Sequence, residues 1–211
     1  MGTVSLVLIA LCAFAACAGF MILYARRLRR RDVALATSLQ ARGFVPAPAD
    51  QAERLRELPL TMLQPAREGR IANVMSGRPM GLDMLVFDLE LKAGDPSSHR
   101  TCVLARAPSG TGPGDLLIEH GDLGGAAGQA QVERVPESLR DGYVRVRSHD
   151  AGLVERVMTS EMRAYLASLS PMFDFELRDD LSLCIAKLLS PTTLSMQIDA
   201  LAGFVTRLPR E

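Results

Sequence analysis

The hydrophobic pattern of the chain begins with an uncharged apolar run from Val4 to Tyr24, followed at once by Arg26, Arg27, Arg29, Arg30 and Arg31. As a helix rising about 1.5 Å per residue this run spans roughly 31 Å, close to the hydrocarbon thickness of a bilayer. Ten of its residues are Leu, Ile, Val or Phe, which together favour insertion by roughly 3–6 kcal/mol. Beyond Asp32 the helical spacing continues through Ala34, Leu35, Leu39 and Ala41 to Gly43, a natural stop. The anchor is therefore expected to continue as a stalk. Pro46, Pro48 and Asp50 read as a linker, and residues 51–58 as a short polar helix ended by Pro59.

From Arg70 the period changes to that of strands. Residues 71–75 and 82–91 are expected to pair across a hairpin loop at 76–81. In the second of these strands Leu85, Phe87, Leu89 and Leu91 share one face, and Met84, Val86, Asp88 and Glu90 the other. A third strand is expected at 100–107. Residues 108–131 are rich in glycine around the apolar Leu116 to Ile118, which predicts loops with one short strand; residues 131–135 and 143–147 read as further strands. With Asp150 as N-cap, the apolar stripe Leu153, Val154, Val157, Met158, Met162, Tyr165, Leu166 and Leu169 predicts one long helix before Pro171. Phe173, Phe175 and Leu177 alternate with charged residues, and Asp179 and Asp180 turn that strand into 181–189. Ser190 with Pro191 opens a last helix carrying Leu194, Ile198, Leu201, Val205 and Leu208.

The sum is an α+β fold: an N-terminal transmembrane helix, then one domain with mostly antiparallel sheet and helices packed on one face. The expected segments are an anchor at 1–25, a basic juxtamembrane stalk and linker at 26–49, and a soluble domain at 50–211. Residues 45–211 hold every expected strand and both amphipathic helices, so the domain is expected to fold without anything before residue 45.

Charge sets the orientation. Lys and Arg beside a span are retained in the cytoplasm, which puts residues 1–3 outside and everything from Arg26 onward inside, with the bilayer as the first partner. A cleaved signal peptide, or lipidation at Cys17 within Phe14-Ala15-Ala16-Cys17, is the competing reading, and a soluble core helix a third. Residues 32–211 carry all 24 acidic side chains against 19 basic ones. That acidic balance, with no Trp and few aromatics, argues against nucleic acid. Cys102 and Cys184 stand alone in strand-like runs, with no metal-ligand spacing, and no metal or cofactor is expected.

Candidate chemistry is sparse. Asp88 and Glu90 lie on one strand face, and Glu119, His120 and Asp122 cluster near the glycine-rich loop, so either group is a candidate acid/base or ligand set. The alternative reading is a solvated strand face and loop polar residues. His99, His120 and His149 fall at turn or loop positions, and Ser109 lacks the flanking glycine of a nucleophile elbow. The glycines of 110–128 lack the Lys and Ser/Thr of a phosphate loop.

The order of the anchor, Ala41 to Phe44, Ile71-Ala72-Asn73-Val74 with Gly77 and Gly81, Val86-Phe87-Asp88, Tyr143 and the helix from Leu153 to Leu166 resembles uncharacterised bacterial single-pass membrane-anchored proteins over roughly residues 40–208. That resemblance implies no known activity, substrate or catalytic residue. The function expected is a membrane-anchored cytoplasmic interaction or structural module without catalytic activity, partnered by the bilayer and by a membrane or cytoplasmic protein. The alternative is a membrane-tethered hydrolase using carboxylates or histidines.

Overall fold

The structure, a computed structural model, describes residues 2–67, 69–91, 99–106, 114–120, 144–169, 172–187 and 190–209. Within these, the side chains of 2–12, 15–17, 22, 24, 25, 27, 28, 65–67, 120 and 144 lie outside the description. The expected strand at 131–135, together with Ser109, Asp122 and Tyr143, also lies outside it.

The apolar run and the stalk form one helix, α1 (Gly2–Ala41). It stops at Gly43, whose φ of 83° no side-chain-bearing residue adopts cheaply. The amides of Gly43 and Phe44 turn back onto the carbonyls of Gln40 and Leu39, satisfying the last turn. Among the described residues no helix is long and apolar enough to cross a membrane; most side chains of the run at 4–24 are not among them.

The expected linker instead contributes a two-residue edge strand, β1 (Val45–Pro46), followed by helix α2 (Gln51–Arg56) and a 3-10 helix (Thr61–Arg67). Then come β2 (Arg70–Gly77), β3 (Met84–Glu90), β4 (His99–Arg106), β5 (Asp115–His120), β6 (Val144–Arg147), α3 (Ala151–Val157), α4 (Ser160–Ser168), β7 (Asp174–Arg178), β8 (Leu181–Lys187) and α5 (Pro191–Thr206). The strands form one eight-stranded sheet in the order β1-β2-β3-β4-β8-β7-β5-β6, and every pairing in it is antiparallel.

The α+β class and the antiparallel sheet hold; the placement of helices on one face does not. Alternation along the strands feeds two cores. Met84, Val86, Val103, Phe175 and Cys184 pack with Leu35 and Leu39 of α1, Val157 of α3, Met162 of α4 and Phe204 of α5. On the opposite face Phe87, Leu89, Cys102, Leu104 and Leu183 pack with Leu55 of α2 and with Leu60 and Leu63 beside and in the 3-10 helix. The sheet has apolar residues on both faces, so both need a cover.

The single helix expected over 150–169 is two. Asp150 caps α3 by accepting from the amide of Gly152 at 2.8 Å. The Thr159 hydroxyl then accepts from the amide of Met162 at 3.2 Å and opens α4. Thr is a weak helix former and a good N-cap, and Met158 and Met162 both stay in the core across the break. The segment 26–49 is likewise more than stalk and linker. Leu35, Leu39 and Phe44 are 6%, 4% and 1% exposed, so the packed unit starts near Arg31 rather than at residue 45 or 50.

The course of α1 orients the domain. Arg31 meets Asp88 near one end of β3, while Phe44 packs against Gly77, the register partner of Met84 at the other end. Ten helical residues rise about 15 Å, and four strand residues about 13 Å, so α1 runs antiparallel along β3. The sheet end holding Arg70, Glu90, His99, Arg100 and Lys187 thus points back toward the apolar half of α1.

Candidate functional site

A connected polar group lies where α1 meets the sheet. Asp88 and Thr101 are register partners on β3 and β4. The pairing of β2 with β3 slips between Ala72 and Met75, and Asn73 in that bulge has a φ of 54°, a conformation Asn tolerates better than most residues. This aims its amide at Asp88 Oδ2, to which it donates at 2.9 Å. Thr101 Oγ1 donates to Asp88 Oδ1 at 3.0 Å.

Arg31 completes the group from above. Its guanidinium donates to both oxygens of Asp88, at 3.3 and 3.2 Å, to Thr101 Oγ1 at 3.3 Å and to Asp32 at 3.0 Å. The side chains of Arg31 and Asp88 are 15% and 13% exposed. A two-pronged, largely dry pair of this kind contributes roughly 1–3 kcal/mol. At the far end of the same helix Arg42 donates to Asp199 of α5 at 2.8 and 3.1 Å. Two ion pairs and three apolar anchors thus lock the last turns of α1 to the domain.

The carboxylates expected as chemistry do not converge. Asp88 is not outward-facing and solvated; it is held by three side chains. Glu90 faces its register partner His99 at 3.6 Å. Glu119 pairs with Arg147 of β6 at 3.0 Å, on the sheet face opposite Asp88, since Ile118 and Val86 line the same core. Four strand steps separate β3 from β5, about 19 Å. His99 and His120 are strand-end residues rather than loop residues, and the side chain of His120 is outside the described set. His149 lies 3.8 Å from Asp115. Among the described residues no group of three or more His, Cys, Asp or Glu stands close enough to hold a metal ion.

Sequence reasoning missed one buried carboxylate. Glu176 on β7 is 2% exposed and accepts from the amides of Thr61 and Met62 at 2.5 and 2.7 Å. It pins the 3-10 helix to the sheet. Burial raises its pKa, an effect the two amides offset only in part. The alternation Phe175-Glu176-Leu177 marked it as facing away from one core, but nothing local revealed the second cover that buries it. Cys102 and Cys184 are fully buried, and burial raises both thiols well above their usual range. They face opposite sides of the sheet.

An open groove of about 740 Å³ lies at the other sheet end, lined by Gly43, Leu58, Leu85, Leu104 and Leu181 and by Arg54, Arg78 and Arg106. Each of these arginines is neutralised by a carboxylate, Asp50 at 2.7 Å, Asp83 at 2.7 Å and Asp180 at 3.3 Å respectively.

No family model matches the chain, and no curated protein sequence matches it. Among solved structures, the crystal structure of the mycobacterial trehalose monomycolate transport factor A, TtfA, is similar with a TM-score of 0.62 at 12% identity, covering 86% of this chain and 96% of that one. At that identity the likeness is one of fold.

Proposed function

We propose that the chain is a membrane-anchored module without catalytic activity, which holds its sheet domain at the cytoplasmic face of a bilayer and acts there as an accessory factor by contact with a membrane protein. The observation that carries this reading is α1. It runs unbroken from the apolar stretch into the core of the domain, yet Phe14, Phe20, Met21 and Leu23 are 64–75% exposed. Leaving each such side chain in water forgoes roughly 1.5–3 kcal/mol, and lipid is the solvent that relieves this. Val4 to Tyr24 is then the span, and Arg26, Arg27, Arg29, Arg30 and Arg31 keep the domain inside. The naming of the fold neighbour as a transport factor supports an accessory role in transport at a membrane.

Against hydrolysis, Asp88 is held by Arg31, Asn73 and Thr101, and Glu119 by Arg147. The intact chain should resist alkaline extraction, keep Met1 or Gly2 rather than Cys17 at its N-terminus, and expose the domain to protease only from the cytoplasmic side. Solubilised in mild detergent, it should co-purify with an integral membrane protein. A domain digested from outside would overturn the topology. Ester, phosphoester or peptide turnover abolished by Glu119→Gln or His120→Ala would overturn the absence of catalysis.

A further inference from the structure

Resting on the anchor reading above, we propose that the sheet end carrying Arg70, Arg100 and Lys187 is a second, electrostatic contact with the bilayer, seated on anionic lipid headgroups. Arg31 lies only seven helical steps after Tyr24, about 10 Å of helix. At Arg31 the helix is already fixed to Asp88, and β3 continues two residues beyond it toward the membrane, roughly 7 Å. The end of the sheet therefore meets the headgroup layer, with Arg26, Arg29 and Arg30 exposed on the intervening helix.

The two ends of the sheet differ in charge. At the far end every groove arginine has its carboxylate. At the near end Arg70 and Lys187 are exposed and form no ion pair among the described residues. They stand on β2 and β8, three strand steps apart, with Arg100 of β4 the register partner of Lys187. Arg70, Arg100 and Lys187 span about 14 Å of sheet with one carboxylate between them, Glu90, the register partner of Arg70, and this excess of positive charge, held within a Debye length of a membrane surface, is what acidic headgroups attract.

Lys187 offers a direct reading, because the chain has only one other lysine, Lys92. The full-length protein is reconstituted into vesicles of phosphatidylcholine alone, or with about one lipid in three replaced by phosphatidylglycerol, and acetylated briefly with a water-soluble active ester. Mass spectrometry follows Lys187, and peroxide oxidation of Met80, 62% exposed at the far end, serves as the control. Acetylation of Lys187 should slow several-fold in the anionic vesicles and recover in high salt, with Met80 unchanged. In Arg70→Gln and Arg100→Gln vesicles the protection should weaken by roughly fivefold per charge removed, with circular dichroism confirming the fold. Inorganic phosphate added to neutral vesicles should not protect; protection there would assign the site to a soluble anion and overturn the lipid. Equal acetylation in both vesicles overturns the docking, as does protection in native membranes alone, which would point to a protein. Retention on alkaline extraction without lipid-dependent protection defeats the docking and spares the anchor; release on extraction defeats the anchor.

Discussion

Deleting the end of α1 should unfold the domain even though no strand is touched. A fragment of residues 45–211 lacks Leu35, Leu39 and Phe44, which are 6%, 4% and 1% exposed in the main core. Burial of each such side chain contributes roughly 1.5–3 kcal/mol, so the three account for about 5–9 kcal/mol, an upper figure because an unfolded chain already buries some apolar surface. The fragment also loses Arg31 and leaves Asp88 without its cation. Set against a whole-domain stability of about 5–15 kcal/mol, this loss consumes most of the margin. A fragment of residues 26–211 retains all these contacts and lacks the apolar run. Urea unfolding followed by circular dichroism should be cooperative for 26–211, and weak, broad or absent for 45–211, with dye binding to the exposed core. If both fragments unfold cooperatively at similar urea concentrations, the packing of α1 is not part of the core and the reasoning fails.

Three further outcomes follow from single side chains. Val157→Asp in 26–211 places a carboxylate at a fully buried position and should leave the fragment insoluble or unfolded by circular dichroism, at a cost of several kcal/mol; a stable, folded variant would mean that the α3 stripe is not covered. The pKa of Glu176 is raised by burial above the ordinary 4.5, so its favourable protonated contribution is present below that value and is lost as pH rises through the raised one. Glu176→Gln should flatten the stability profile in that window and, at neutral pH, cost about 1–3 kcal/mol, because one amide of Thr61 or Met62 loses its acceptor; parallel profiles for parent and variant would refute this. At Gly203 an added methyl would run into the hydroxyl of Tyr165 and come within 2.6 Å of its ring carbon. Gly203→Ala should therefore dislodge Tyr165 from the carbonyl of Ala200 and from Arg207, lowering the melting temperature despite the better helix propensity of Ala.

Features that depend on neighbours along the chain were legible in the sequence. The helix α5, opened by Ser190 and Pro191, the hairpin of β7 and β8 across Asp179 and Asp180, and the Asp150 cap all stand where the periodicity puts them, because strand alternation, helical spacing and caps are set within a few residues. The stop of α1 at Gly43 belongs with them. The decisive polar contacts do not. Arg31 and Asp88 are 57 positions apart, and Thr61 and Glu176 are 115 apart, so their partners are fixed by strand order and by which cover lies on which face. Read locally, Arg31 is one charge in a topogenic cluster, Asp88 a wet carboxylate and Pro46 a linker residue. The break at Thr159 is also hidden: the apolar stripe runs straight through it, and the Thr159 hydroxyl opens a new helix by accepting from the amide of Met162 while Met158 and Met162 both stay in the core. Local chemistry limits the elements a chain can form, while the pairing of distant charges and the covering of a second apolar face depend on contacts that exist only once the sheet is assembled.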